Sequence, residues 1–208
     1  MYPRERLRRA MALYAVTDRT WLAGRTLPGC VAEVLAGGAT FVQLREKDAP
    51  HEETVALARA ILPLCRQAGV PFVVDDDVQA ALEAQADGVH VGQDDAACAD
   101  ARDLLGPDKI VGVSVQTVGQ ALAAQAAGAD YLGVGALFGT PTKPDATLVS
   151  LDELRAVCQA VDVPVVAIGG LNERTVPALA GTGVDGAAVV SALFAAADPQ
   201  AAARTLAA

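Results

Sequence analysis

An α/β fold, a single-domain (β/α)8 TIM barrel, is predicted by three observations. Eight short β-branched runs alternate with longer alanine-rich stretches from one end of the chain to the other. Most of the short runs are apolar throughout, as strands buried on both faces of a parallel sheet must be. No Ser/Gly/Pro linker or low-complexity tract interrupts the array, so residues 1–208 read as one domain. The rival, an open doubly wound sheet, commonly has fewer strands and a glycine-rich first turn, and no G-x-G-x-x-G follows the first strand here.

The chain opens with Arg4, Arg6, Arg8 and Arg9, then a short apolar run that ends in Thr17-Asp18 with no cleavage-like tail. This predicts a short solvated helix at about 3–11 leading into a strand rather than a targeting segment. The predicted strands are Leu13–Thr17, Phe41–Arg45, Pro71–Asp75, Gly88–Val91, Ile110–Ser114, Tyr131–Val134, Val165–Ile168 and Gly186–Val190. Helical stretches are predicted from Pro50 to Gln67, and over Val78–Gln85, Thr117–Ala127, Leu151–Ala160 and Asn172–Ala180. Glycines at Gly37-Gly38, Gly69, Gly128 and Gly183 punctuate the helix ends. Ala126–Tyr131 and Gly181–Gly186 echo each other, with looser versions at Val34–Phe41 and Ala84–Gly88, which marks a recurring helix-to-strand turn. One connection, Gly135–Ser150, is long for so compact a barrel and is expected to be functional.

Of the 208 residues, 52% are hydrophobic and 20% charged, and the formal net charge is −9. That much apolar surface excludes a disordered chain. The acidic balance argues against nucleic-acid binding and means that any phosphate site must bring its own cations or a metal. No run of 18 apolar residues occurs, so no membrane span is expected. Cys30, Cys65, Cys98 and Cys158 lack metal-site spacing and read as buried thiols of a cytoplasmic protein.

A barrel gathers its active site at the carboxyl ends of its strands, and the polar residues collect there. In Gln43-Leu44-Arg45-Glu46-Lys47, alternate residues share one side, so Gln43, Arg45 and Lys47 can line the mouth together, suiting a polar heterocycle with an anionic tail. The alternative is an Arg and a Lys merely paired with nearby carboxylates. Asp75-Asp76-Asp77 crowds three carboxylates that repel unless a cation compensates. Asp76 and Asp95 could hold one Mg²⁺, while Asp77, and Asp94 or Asp95, also fit helix N-caps. Thr140-Pro141-Thr142-Lys143 offers hydroxyls, amides and a cation in a stiffened loop, without the spacing of a Walker A loop. Gly169-Gly170 and Val190-Ser191 follow the last two strands, where barrels commonly bind phosphate. His90 lies within a strand, as either a hydrogen-bonded interior residue or a ligand contact. His51 is expected exposed at a helix start, and Trp21 either covers the mouth or anchors its loop. A diphosphate site beside a monophosphate site suggests group transfer with diphosphate as leaving group.

The sequence resembles the thiamine-phosphate synthase family. The resemblance rests on Tyr14-Ala15-Val16-Thr17-Asp18, Gln43–Lys47, Asp75-Asp76-Asp77, Gly88–Asp95, Gly112-Val113-Ser114, Thr140-Pro141-Thr142-Lys143, Ile168-Gly169-Gly170 and Val189-Val190-Ser191, in that order and at strand ends. It implies a Mg²⁺-dependent transferase of thiamine biosynthesis that joins a hydroxymethylpyrimidine diphosphate to a thiazole phosphate. It further implies that Gln43, Arg45, Lys47, Ser114 and Lys143 bind the pyrimidine diphosphate, with Arg45, Lys47, Ser114 and Lys143 catalytic. Asp76 and Asp95 would hold Mg²⁺. Thr140, Thr142, Gly170, Val190 and Ser191 would bind the thiazole phosphate, and Leu44, Glu46, Asp75 and Pro141, inside the same motifs, are expected at substrate. The implied chemistry is dissociative, the aminopyrimidine stabilising a methylene cation after the C–O bond breaks. The family usually has Asn where this chain has Asp75, so Asp75 is either protonated, turned away, or a helper in holding metal. The partners implied are small-molecule substrates, with neither nucleic acid nor membrane, and a homo-oligomer is left open. Two rival readings are a thiazole tautomerase-like isomerase, which would need neither the Asp76/Asp95 pair nor Lys143, and a non-catalytic barrel that binds thiamine precursors.

Overall fold

The computed structural model describes residues 3–92, 98–140 and 147–208. Eight parallel strands close into a barrel in sequence order: β1 Leu13–Val16, β2 Phe41–Leu44, β3 Phe72–Asp75, β4 Gly88–Val91, β5 Ile110–Val115, β6 Tyr131–Val134, β7 Val165–Ile168 and β8 Gly186–Val189, with β8 returning to pair with β1. The predicted (β/α)8 TIM barrel is the observed fold. The outer layer contains α2 Leu27–Ala36, α3 His51–Ala68, α4 Val78–Glu83, α5 Cys98–Leu105, α6 Val118–Ala126 and α7 Leu151–Ala160, and the chain closes with α8 Ser191–Phe194 and α9 Pro199–Ala207.

The period of two along each strand divides the core in two. Leu13, Ala15, Val42, Leu44, Val74, Val89, Leu132 and Val165 point outward into the layer shared with the helices. Tyr14, Val16, Phe41, Val73, Ile110, Tyr131, Val166 and Ala188 point inward and fill the barrel. The N-terminal helix α1, Arg4–Ala10, belongs to this second cluster. It was expected to be simply solvated, but its arginines occupy only the outer face. Leu7, Ala10 and the adjoining Met11 are buried and close the amino-terminal end of the barrel.

The sequence echoes have a common structural cause. Before β4, β6 and β8, an aspartate brackets the first or second residue of the preceding strand. The Asp87 carboxylate accepts from the Phe72 amide at 2.9 Å, Asp130 from Val111 at 2.8 Å and Asp185 from Val165 at 2.9 Å. Each of these aspartates also donates its own N–H to the carbonyl of the same residue. Thr40 does the equivalent before β2, its Oγ1 accepting from the Leu13 amide at 2.9 Å. Strand-end amides that would otherwise be unpaired are satisfied, and the register of each strand pair is fixed. At the end of α3, Gly69 adopts φ 68°, the left-handed cap that a β-carbon disfavours.

One predicted helix is different. Asn172–Ala180 forms a turn followed by a 3₁₀ segment, Val176–Leu179. The Asn172 side chain accepts from the Arg174 amide at 2.9 Å, and Thr175 Oγ1 accepts from the Asn172 amide at 2.9 Å. These local bonds compete with an α-helical start, and Pro177 removes a backbone donor.

Candidate active site

The carboxyl ends of the strands surround a cavity of about 710 Å³. Strand β2 and its extension contribute most of its charge. Gln43, Arg45 and Lys47 all line the cavity, as their spacing predicts. The Thr17 hydroxyl, buried at the end of β1, accepts from the Arg45 amide at 2.9 Å and fixes that strand extension. The two intervening residues do not reach the cavity with their side chains. Leu44 is fully buried in the layer between sheet and helices. Glu46 turns behind the mouth, where Arg19 Nε pairs with it at 2.6 Å. Strand parity therefore leaves only the backbone of Leu44 and Glu46 for the substrate contact expected of them.

Strand β3 delivers the acidic cluster, and its three members diverge. Asp77 is a helix cap: its carboxylate accepts from the Ala80 amide at 2.8 Å at the start of α4. Asp75 faces the cavity, with its Oδ2 3.5 Å from Lys47 Nζ and 4.0 Å from Arg45 Nε. Its carboxyl is pushed up to about 7, first by burial and then by the Asp76 charge, with Lys47 and Arg45 acting in the opposite sense. It is therefore not turned away, and when protonated it offers one donor and one acceptor in the planar shape of an amide. Asp76 takes a left-handed backbone conformation, φ 61°, with its amide donating to the His90 carbonyl at 2.8 Å. That turn lifts its carboxylate to the mouth, where it pairs with Lys47.

The opposite wall is built for close approach. Gly169 and Gly170 have φ 98° and 66°, and a β-carbon on Gly170 would lie 2.7 Å from the Gly139 carbonyl oxygen and from Phe138 Cβ. The loop after β6 is laid against the end of β7 by the Leu137 amide donating to Ile168 at 3.0 Å and the Phe138 amide donating to Gly169 at 3.1 Å. Thr140, Gly170, Val190 and Ser191 line the cavity here, and Ser114 lines it from β5. Asp95, Pro141, Thr142 and Lys143, expected at the metal and phosphate subsites, lie outside the described residues, as does Asp94.

The donor chemistry fits Mg²⁺. Asp76 presents a hard oxygen donor beside a cavity with room for phosphate, and Mg²⁺ is commonly held by one or two carboxylates while phosphate and water complete its shell. Among the described residues no cluster of three or more His, Cys, Asp or Glu side chains is arranged around a metal position.

Other residues complete the cavity lining: Tyr14, His90 and Gly133 from the strands, with Tyr131 buried beneath, and Gln116 and Gln120 from the end of β5 and from α6. His90 is an interior residue and also a cavity residue, bonded to Tyr131 and Ser114. The signal was present in strand parity: Tyr14 and Val16, His90 and Gly92, Tyr131, Gly133 and Gly135 share the inward register of Gln43 and Arg45. His51 is on the outer surface, bonded to Asp77 at 2.7 Å and Glu83 at 3.2 Å. Trp21 ends a 3₁₀ turn, Arg19–Trp21, and does not line the cavity.

The family model described as thiamine monophosphate synthase matches residues 13–193. A thiamine-phosphate synthase of Moorella thermoacetica is 48% identical over 195 residues, covering 93% of this chain and 93% of that protein. One from Roseiflexus sp. (strain RS-1) is also 48% identical, covering 93% of this chain and 83% of its own. The solved thiamine phosphate pyrophosphorylase from Pyrococcus furiosus superposes with a TM-score of 0.89 at 40% identity, covering 96% of this chain and 95% of that one. A 3-hexulose-6-phosphate synthase structure, 21% identical with a TM-score of 0.67, shares the fold.

Proposed function

The chain belongs to the thiamine monophosphate synthase family, and from that premise we propose that it is a thiamine-phosphate synthase. It couples 4-amino-2-methyl-5-hydroxymethylpyrimidine diphosphate to a thiazole phosphate, giving thiamine phosphate and diphosphate. The observation that carries this reading is the convergence of Gln43, Arg45 and Lys47 on one side of a cavity whose other wall is the Gly169-Gly170 turn. An amide and two cations suit the heterocycle and its diphosphate, and close-approaching backbone suits a monophosphate. The synthase names of the relatives favour this reading over an isomerase or a non-catalytic barrel.

On this reading the bond between the pyrimidine methylene carbon and the diphosphate oxygen breaks, and its electron pair leaves with the diphosphate. The ring-stabilised methylene cation then accepts the lone pair of the thiazole nitrogen. Arg45, Lys47 and Lys143 stabilise the charge growing on the leaving group, and preorganised charge of this kind is commonly the largest catalytic contribution. Ser114 and Gln43 hold the pyrimidine portion in line, and Thr140, Thr142, Gly170, Val190 and Ser191 hold the thiazole phosphate, which makes the encounter of carbon and nitrogen intramolecular. Asp76 and Asp95 are the proposed holders of Mg²⁺, which when bound neutralises diphosphate oxygens. Asp75, in its protonated form, contributes as an amide-like group beside Arg45 and Lys47.

Four free cysteines, three of them buried, agree with a reducing cytoplasm. No helix among the described residues is long and apolar enough to cross a membrane. The experiment is direct: purified protein with both precursors and Mg²⁺ should yield thiamine phosphate and equimolar diphosphate. Omission of either precursor should abolish both products. Absence of product with both precursors present would refute the proposal.

A further inference from the structure

Five polar side chains from five strands form a continuous chain across the barrel, buried at Gln43, Tyr14, Tyr131 and His90 and exposed at Ser114. Gln43 Nε2 donates to Tyr14 Oη at 2.8 Å, and Tyr14 Oη lies 2.7 Å from Tyr131 Oη. Tyr131 Oη lies 2.9 Å from His90 Nδ1, and His90 Nε2 lies 2.9 Å from Ser114 Oγ. The two ends, Gln43 and Ser114, both face the cavity.

With Gln43 presenting its Nε2 to Tyr14, the donor and acceptor capacities along this chain favour one direction. Each phenol has a single hydrogen. Tyr14 already accepts from Gln43, and Tyr131 is its other hydroxyl neighbour among the described residues, so the Tyr14 hydrogen goes to Tyr131. Tyr131, accepting from Tyr14, spends its own hydrogen on His90 Nδ1. Were the direction reversed, the Tyr14 hydrogen would lie between two donors with no acceptor in the chain itself, which is costly for a hydroxyl almost wholly removed from solvent. A neutral imidazole that accepts at Nδ1 carries its proton at Nε2 and donates it to Ser114. The Ser114 hydroxyl, accepting from His90, is left with its hydrogen directed at the cavity.

We infer that the chain Gln43–Tyr14–Tyr131–His90–Ser114 fixes His90 as the Nε2–H tautomer and turns the Ser114 hydroxyl into a donor toward bound substrate, making Tyr14, Tyr131 and His90 positioning residues for the coupling reaction. The surroundings support a fixed, neutral relay. Burial raises both phenols, so neither carries charge near neutrality. Phe41 packs against both tyrosines, with ring centroids 4.4 Å and 5.5 Å away. Gly112 leaves the space that the Tyr131 ring occupies, since a β-carbon there would lie 2.1 Å from Tyr131 Cζ. Buried hydrogen-bond chains of this type polarise their members and hold one geometry.

The consequence for catalysis rests on the synthase reading above, whereas the tautomer does not. Long-range ¹H–¹⁵N correlation of histidine-labelled protein tests the direction, and with two histidines in the chain the spectrum is simple. His51 is exposed and titrates, while His90 should show a protonated Nε2 and a bare Nδ1 above neutral pH. In Tyr131→Phe, which keeps the ring, His90 should become a tautomer mixture. Its kcat should fall about tenfold with KM for both precursors little changed. Ser114→Ala should cost about as much, and the double variant little more. A wild-type His90 protonated at Nδ1 would overturn the inference, as would a Tyr131→Phe protein with wild-type kcat. If the wild-type protein formed no thiamine phosphate, the function would fall, and the spectrum alone would still decide the direction of the chain.

Discussion

Lys47 Nζ lies 3.5 Å from the Asp75 carboxylate and at the same time pairs with the neighbouring Asp76. One ammonium therefore serves two carboxyl groups, of which only Asp76 reaches the outer mouth. Asp75 lies deeper, desolvated, where a full negative charge would oppose a diphosphate. Replacing it by asparagine keeps the planar shape and removes that charge. Asp75→Asn is expected to retain kcat/KM within about threefold or raise it. Steady-state coupling with both precursors is the measurement, and total loss would show that the carboxylate acts in its own right.

Asp76 has a different fate. Its left-handed backbone brings the carboxylate to the mouth, where it would hold the proposed Mg²⁺. Asp76→Ala and Lys143→Ala should each lower turnover by about 100-fold or more while the folded state survives, as judged by far-ultraviolet circular dichroism. Chelator should abolish coupling and added Mg²⁺ restore it. Unchanged turnover in the Asp76 variant, or coupling in the presence of chelator, would remove the metal from the proposed mechanism.

Gly112 provides a test of the interior. Any side chain there meets the Tyr131 ring at non-bonded distances that cannot be tolerated. Gly112→Ala must push the ring off the chain to His90, with an overpacking cost of roughly 1–3 kcal/mol. Thermal unfolding should show a lowered midpoint, and activity should fall more than stability explains. A variant with wild-type midpoint and kcat would mean that the ring has somewhere else to go.

How much of this was legible in the sequence follows from how local each signal is. Strand limits fall within a residue of expectation because most of the apolar runs are bounded by an aspartate, threonine or glycine. The 172–180 segment misled because its composition is helical while Asn172 and Thr175 close a local turn. The first helix misled because four arginines mask the single face, Leu7 and Ala10, that meets the barrel. At the site, alternation correctly separated Gln43, Arg45 and Lys47 from their neighbours, whereas the motif taken whole carried Leu44 and Glu46 along with them. The pairing of Tyr14 with Tyr131 was not legible, since it joins residues 117 apart and exists only once the barrel closes.

The neutrality of His90 has a consequence for stability that can be measured apart from activity. Burial holds its imidazole at about 4, against an ordinary value of 6.5. Between those values the unfolded chain binds a proton that the folded chain does not, so the folded state loses stability as pH falls through this window. Above it the two states are equally deprotonated and the effect is absent. His90→Gln removes the titrating group, whereas His51, whose pKa is raised by Asp77 and Glu83 and which acts in the opposite sense, is present in both proteins and cancels. Between pH 7 and pH 5 the wild-type protein should therefore lose about 2 kcal/mol more than His90→Gln in urea unfolding. Parallel pH dependences would show that His90 takes up its proton within the folded barrel at the ordinary pH, and the neutral relay would not survive mild acid.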